Sequence, residues 1–414
     1  MTIEKNRILY LMYCVMVLAS FLQGVDVFPP IVKFFSNKIF YISVIVCLLL
    51  SFNSKKITIL RNVRLPAQLL VLFALFYIIS NCYHREPGWL ESSIGNGVFY
   101  LLTFLAVHAV SREIIVEKLL APYLIIVSLL VALSLAMVAG LPLDYYNIDD
   151  DVNDYYLASK SSLSLAVLSG VYYNQNSFAV LAFLGACVFL MKYQLLQQSK
   201  EIIKYYHVAM LIIVLVCALM TVSRAGLLAC TILILFYMIK SLKNKKILLI
   251  LLLLNASLLV VFYFFYEHLD FLMLRIENDG SSNRVDIWVD AFNVFKDSYI
   301  LGAGYYKYYT PSGYVTTHNV YLQLLVSQGI FAFLFWTLFL SNFVFFAIKN
   351  VVLTKIRNNP VAVIASIGFL AILVHQFFET MIIGSWGPLV LFMFVLMNLI
   401  VNVGLNNESN AVRV

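Results

Sequence analysis

Long apolar runs alternate with short polar stretches along almost the whole chain. Many of these runs reach the length that a helix needs to cross a lipid bilayer, and few carry internal charges. The pattern therefore predicts an all-α membrane protein of about twelve transmembrane helices. The predicted spans lie at 8–24, 39–53, 67–83, 95–110, 119–140, 173–191, 208–223, 225–239, 247–266, 319–348, 361–375 and 387–403.

Composition and charge agree with this interpretation. Of the 414 residues, 62% are hydrophobic and 12% are charged, whereas soluble domains carry roughly 25% charged residues. The twelve spans divide the polar segments into two sides, and the side that holds the termini has 19 of the 28 basic residues and 5 of the 21 acidic ones. Since basic residues accumulate in the cytoplasm, both termini are predicted to be cytoplasmic.

The spans leave two long segments on the outward side, 141–172 and 267–318. Long loops inside a compact domain are often functional. No internal repeat divides the chain, so residues 1–414 are predicted to form one polytopic membrane domain with two outer loops.

The larger loop contains the stretch "RVDIWVDAFNVFK", which begins at Arg284. Its apolar residues Val285, Trp288, Phe292 and Phe295 have helical spacing. This pattern predicts an amphipathic helix that lies on the membrane surface.

The smaller loop contains an acidic run with the partial spacing of a calcium loop. The run lacks the glycine of the turn and has Lys160 where the last carboxylate belongs, so a solvated acidic loop is the favoured interpretation. The six cysteines show no ligand spacing either, and the sequence predicts no metal site. The acidic run consists of Asp149, Asp150, Asp151, Asn153 and Asp154.

Two outward arginines are candidates for anion binding. Arg224 in "TVSRAGLL" lies between two apolar runs, where a charge is costly unless it is paired, bound to a ligand or able to reach the surface. Arg284 opens the helix of the large loop, where an ordinary surface charge is the alternative. Guanidinium groups match phosphate oxygens and stay charged at any pH.

Further polar candidates stand at the outer ends of spans. His318, followed by Asn319, begins the apolar run after the large loop, and Asn176 and His375 also lie at such ends. Taken alone, His318 is more simply a boundary residue than a catalytic one. Glu379 is the carboxylate nearest to membrane depth, which makes it a functional candidate.

Several segments together resemble the O-antigen ligase and polymerase family. They are "NQNSFAVLAF", "TVSRAGLL", "SSNRVDIWVDAFNVFKDSYILGAGYYKYY" and "HNVYLQLLVSQG", in that order. The resemblance is concentrated in residues 174–350 and is weak over the first 140.

The resemblance implies a fold, a location and a reaction. The fold would be of the GT-C class, in a multi-pass protein of the bacterial inner membrane. A glycan carried on undecaprenyl diphosphate would be transferred in the periplasm to a glycan or to lipid A-core, without cofactor or metal. Membrane lipids and a chain-length regulator are further expected partners, and nucleic acid is not.

The resemblance also implies roles for single residues. His318 would bind or activate the acceptor hydroxyl as the catalytic residue, and Arg224 and Arg284 would hold the diphosphate, whose negative charge must be stabilised as it leaves. Asn176, Asn319, His375 and Glu379 are expected to support them.

Polymerase and ligase remain alternatives at this point. Ligases of the family often have His-Asn, nine residues, Gly, two residues and then Gly, Thr or Tyr. His318, Asn319 and Gly329 match this pattern, but Ala332 does not, so polymerase is favoured. A flippase or other transporter is a third possibility, but transporters concentrate polar residues near the membrane midplane, whereas here they lie at the outer edge.

Overall fold

The computed structural model describes residues 2–52, 63–84, 97–139, 141, 170–172, 174–196, 201–221, 223–241, 284–304, 316–354, 358–381 and 387–411. These residues form twelve helices and no strand. The helices are α1 (Thr2–Gly24), α2 (Pro30–Phe52), α3 (Arg64–His84), α4 (Phe99–Glu113), α5 (Val116–Val138), α6 (Gln175–Leu195), α7 (Glu201–Met220), α8 (Arg224–Ser241), α9 (Arg284–Asp297), α10 (Val320–Leu353), α11 (Pro360–His375) and α12 (Gly387–Ala411).

Eleven of the twelve predicted spans coincide with described helices. By length and composition, seven of these helices can cross a membrane, namely α1, α2, α3, α5, α6, α7 and α10, while α11 and the start of α12 are shorter apolar helices. The predicted span 247–266 and the acidic run 149–154 lie outside the described residues. The all-helical membrane fold is confirmed, and the count of twelve spans and the GT-C class remain predictions.

The centre of the bundle consists of helices that are apolar on every side. Every residue of α6 from Phe178 to Met191 is buried, and so are most of α11 and the first half of α12. A helix without a polar face has to be surrounded, and α5, α7, α8 and α10 pack around these three. By contrast, α1, α2 and α3 expose leucines and isoleucines, as expected for helices that face lipid.

The helix predicted in the large loop is confirmed as α9, but the prediction of its membrane-facing side was partly wrong. Val285 and Phe292 are exposed, as expected. Trp288 and Phe295, in contrast, contact the protein: Trp288 bonds to the backbone before His318, and Phe295 packs against Ala291. Helical spacing alone does not separate a side that contacts protein from a side that is exposed.

The long helix α10 is broken at Gly329. Gly329 has φ +82°, and a Cβ there would come within 2.2 Å of the carbonyl oxygen of Ile300, so only glycine fits. Residues before the break are largely buried, whereas Ile330 and Phe331 after it are exposed. The apolar run predicted as one span from 319 to 348 is therefore two helical segments.

A turn at residues 299–304 satisfies the backbone groups that the break leaves open. The amides of Ala303 and Gly304 donate to the carbonyls of Val326 and Ser327, at 2.8 and 3.1 Å, and the amide of Ile330 donates to Tyr299. Irregular backbone is tolerated near a membrane where protein satisfies its polar groups.

The end of α3 fixes this turn in place. The hydroxyl of Ser80 donates to the carbonyl of Leu301 at 2.6 Å, and a ring nitrogen of His84 lies 2.9 Å from the carbonyl oxygen of Gly302. The side-chain Nε2 of Gln328 also donates to Oδ1 of Asn81, at 3.2 Å. Three distant parts of the chain thus meet at the break.

Candidate functional site

The carboxylate of Glu379 joins three separate parts of the chain. Glu379 follows α11 and is only 5% exposed. Its Oε1 accepts hydrogen bonds from Asn176 Nδ2 at 2.8 Å and from Arg284 Nη2 at 3.3 Å, and its Oε2 lies 3.7 Å from His318 Nδ1. The start of α6, the start of α9 and the turn before α10 therefore converge on one buried acid.

The backbone of His318 has an unusual conformation that its neighbours hold in place. Its φ of +49° is rare for a residue with a side chain. The hydroxyl of Thr316 accepts from the amide of His318, and the hydroxyl of Thr317 accepts from the amide of Asn319 and donates to its carbonyl. Such a conformation persists where the surroundings fix it, often at functional sites.

Asn319 is the N-cap of α10. Its Oδ1 accepts from the amides of Tyr321 and Leu322, at 3.0 and 3.1 Å, which satisfies donors at the helix start. The cap fixes the point at which the chain turns from His318 into α10, so this asparagine supports the site through the backbone.

Trp288 connects the arginine helix to the histidine turn. It lies one helical turn after Arg284, and its indole N–H donates to the carbonyl of Thr317 at 2.9 Å. One turn further along α9, Ala291 is buried in a small cluster with Val326 of α10. The two contacts fix α9 against α10 and hold Arg284 and His318 in a defined relation.

Three buried nitrogen atoms around Glu379 have no hydrogen-bond partner among the described residues. They are Nε of Arg284, Nδ1 of His318 and Nε2 of His375. The His318 side chain is nevertheless 40% exposed, so the ring buries Nδ1 toward Glu379 and exposes other atoms. His375 is within electrostatic range of both Glu379 and Arg284. Unsatisfied buried donors cost about 1–3 kcal/mol each, so their concentration at one place points to an oxygen-rich ligand.

Arg224 lies at the same end of the bundle as Glu379 and its partners. It is exposed and begins α8. Two residues later, Gly226 packs so tightly on Ala179 that a Cβ at Gly226 would come within 2.5 Å of the Ala179 Cβ. Ala179 follows Asn176 by one helical turn, so the start of α8 is beside the start of α6.

The structure brings together Asn176, Arg284, His318, His375 and Glu379 of the predicted site residues. The sequence did not reveal that Glu379 is the common partner, nor that Trp288 fastens α9 to the histidine turn. The distance of four residues between Arg284 and Trp288 was the available signal, because it puts both on one side of a helix. Within the described ranges, no group of three or more His, Cys, Asp or Glu side chains could hold a metal ion.

Comparison with known families covers the part of the chain that supplies most of this site. Residues 208–337 match the O-antigen ligase family. The resemblance is thereby confirmed for a segment that includes Arg224, Arg284 and His318, while Asn176, His375 and Glu379 lie outside it. No curated protein matches the chain. Together with the apolar helices, the O-antigen ligase match indicates a multi-pass inner-membrane protein of a glycosyltransferase-like type.

Proposed function

We propose that this protein is a glycosyltransferase that extends a surface polysaccharide at the periplasmic face of the inner membrane. The donor is a glycan on undecaprenyl diphosphate, and the acceptor is the hydroxyl of a second lipid-linked glycan. One observation carries the proposal: a single buried carboxylate connects a cationic side chain, Arg284, with a histidine, His318.

The arginines are suited to the leaving group. Arg284 makes one contact of 3.3 Å with Glu379 and keeps further N–H donors, including a buried Nε. A diphosphate carries more negative charge than one carboxylate and can bind through two oxygens, so it competes well for this guanidinium. Arg224, at the neighbouring helix start, supplies a second positive charge for the developing lipid diphosphate.

His318 and Glu379 are suited to activating the acceptor. The Nδ1 side of the ring faces the carboxylate at 3.7 Å, so a proton on Nδ1 is stabilised and Nε2 is left as the base. Such contacts are often long before substrate binds and shorten in the reacting complex. The acceptor hydroxyl gives its proton to Nε2, its oxygen bonds to the anomeric carbon, and the bond from that carbon to the diphosphate oxygen breaks.

The sequence after His318 favours a polymerase over a ligase. Ala332 stands where ligases of the family that this chain resembles often have Gly, Thr or Tyr, and it is fully buried. The description of the matching family as O-antigen ligase supports the second candidate, in which lipid A-core is the acceptor.

Purified protein in nanodiscs, supplied with one defined lipid-linked repeat unit, tests the proposal. We expect products of two or more units on the same lipid, resolved by mass spectrometry or gel mobility. Transfer that starts only when lipid A-core is added would identify a ligase. Failure to transfer glycan to either acceptor, although the donor binds, would refute both functions.

The role of Arg284 is tested by its alanine and lysine variants. Both are expected to reduce transfer by about 10²-fold or more and to weaken donor binding, because lysine keeps the charge but not the planar fork. Asp297→Ala is the matched control, since Asp297 is an exposed charged residue at the opposite end of the same helix. Normal transfer and normal donor affinity in Arg284→Ala would contradict the assignment.

A further inference from the structure

Two sides of helix α9 differ in character: one packs against the protein, and the other carries acidic and polar residues. One side faces the protein, where Ile287 and Ala291 are buried and Trp288 bonds to Thr317. A second side is acidic and polar and has no apolar residue. Its members are Asp286, Asp290, Asn293 and Asp297.

A third side is apolar and exposed. Val285, Val289 and Phe292 follow each other at intervals of four and three residues, so they form one stripe along the helix. Val285 and Val289 are each 55% exposed and Phe292 is 48% exposed. Lys296 ends the stripe, with its ammonium group 5.2 Å from the Phe292 ring centre. An apolar stripe between a protein contact and an acidic side is more than scattered surface hydrophobicity.

Past Lys296, exposed apolar residues continue toward a helix that is long and apolar enough to cross a membrane. Tyr299 and Ile300, just after α9, are also exposed. The carbonyl of Tyr299 accepts from the amide of Ile330, at the start of the apolar segment of α10. There Ile330 and Phe331 are exposed on a helix long and apolar enough to cross the membrane. Beyond Lys296 and Asp297, exposed apolar residues thus lead from the end of α9 to this helix.

We propose that the stripe Val285, Val289 and Phe292 is a membrane-docking surface. It inserts at the boundary between lipid headgroups and acyl chains, in the leaflet on the same side of the membrane as Glu379 and its partners. The acidic side then points to water, as in interfacial helices. Lys296 lies where it can reach lipid phosphates while its stem stays among apolar groups. Docking by this surface fixes the height of Arg284, one residue before the stripe, relative to the lipid headgroups.

The inference does not depend on the proposed function, and it can be tested by spin-label accessibility. Cys14 and Cys82 are replaced by alanine, and the four buried cysteines stay in place because protein covers their thiols. A nitroxide is attached at Phe292→Cys for the stripe or at Asp286→Cys for the acidic side. The full-length protein is reconstituted in nanodiscs of phosphatidylethanolamine and phosphatidylglycerol.

We expect the ratio of relaxation by oxygen to relaxation by a water-soluble nickel chelate to be several-fold higher at position 292 than at 286. Equal access of the nickel chelate to both labels would overturn the proposal, because the stripe would then face water. Protection of position 292 from both agents would also overturn it, since another part of the protein or a second copy would then cover the stripe. Val289→Cys repeats the measurement if the label at 292 prevents folding.

Discussion

Two histidines of this protein lie in contrasting surroundings. His108, in α4, is 1% exposed, and its Nδ1 lies 2.6 Å from Oδ1 of Asn398 in α12. Asn398 in turn donates to the carbonyl of Phe394. His318 lies in a turn at φ +49°, and its buried Nδ1 lies 3.7 Å from a carboxylate without a hydrogen bond.

The difference separates a polar contact that joins two helices from one that is suited to the proposed reaction. The His108–Asn398 pair joins two buried helices, and such neutral contacts help to hold membrane helices together. Around His318 the partners are charged, the backbone is strained and nitrogen donors are left over, all of which are costly unless a ligand or a reaction uses them. Judged by burial and residue type alone, His108 would have been the better candidate for a functional residue than His318.

The largest effect is expected from His318→Ala. If His318 is the base, its loss should lower turnover by about 10²-fold or more, whereas donor affinity should change little because the proposal assigns diphosphate binding to the arginines. Transfer of glycan from purified lipid-linked donor, with donor binding measured separately, checks both parts. Partial activity in His318→Gln, which keeps a hydrogen bond but accepts no proton at neutral pH, would indicate orientation of the acceptor instead of base catalysis. Full activity in His318→Ala would remove the distinction between the two histidines.

The converse result is expected from His108→Phe. The substitution keeps a ring in the core but leaves the Asn398 oxygen without this partner, which should lower the free energy of unfolding by about 1–2 kcal/mol. Transfer per folded molecule should stay normal. Unfolding in detergent, followed by heat or denaturant, measures the loss. Adding Asn398→Leu should restore part of the stability, and loss of activity without loss of stability would instead place His108 in the reaction.

A smaller effect on the site is expected from Trp288→Phe. Phenylalanine keeps most of the packing but cannot donate to the Thr317 carbonyl, a loss of about 1 kcal/mol. If that bond positions His318, turnover should fall about fivefold, since RT ln 5 is about 1 kcal/mol, while donor affinity changes less. Phe295→Leu alters packing on the same helix without touching Thr317 and serves as the control. Equal effects of the two variants on turnover would show that packing alone matters.

The helices and the candidate residues were accessible from the sequence because both are local signals. Apolar runs of membrane length predicted eleven of the described helices, and polar residues at the ends of such runs supplied His318 and Glu379. Helical spacing in the large loop supplied Arg284. The contacts of Glu379 were not accessible, since its partners Arg284 and Asn176 lie 95 and 203 positions away in the chain.

The break in α10 was missed for a different physical reason. The residues on both sides of Gly329 are mostly apolar, so hydropathy does not change at the break. The close approach of Ile300 and Gly302 leaves no room for a Cβ at Gly329, and nothing in the surrounding run predicts that contact. The sequence indicated a special role for Gly329 only through its match to the His-Asn…Gly pattern of the O-antigen ligases.

The junction at the break also has a consequence for how the protein is made. Ser80 and Asn81 of α3 find their partners Leu301 and Gln328 only 221 and 247 positions later in the chain. At a synthesis rate of about 5–20 residues per second, roughly 10–50 s pass before those partners emerge. During that time α3 holds polar groups in the membrane region that their final partners have not yet reached, so the early helices have to wait in a provisional arrangement. The site near α10 is then completed only in the last quarter of translation, when Glu379 follows.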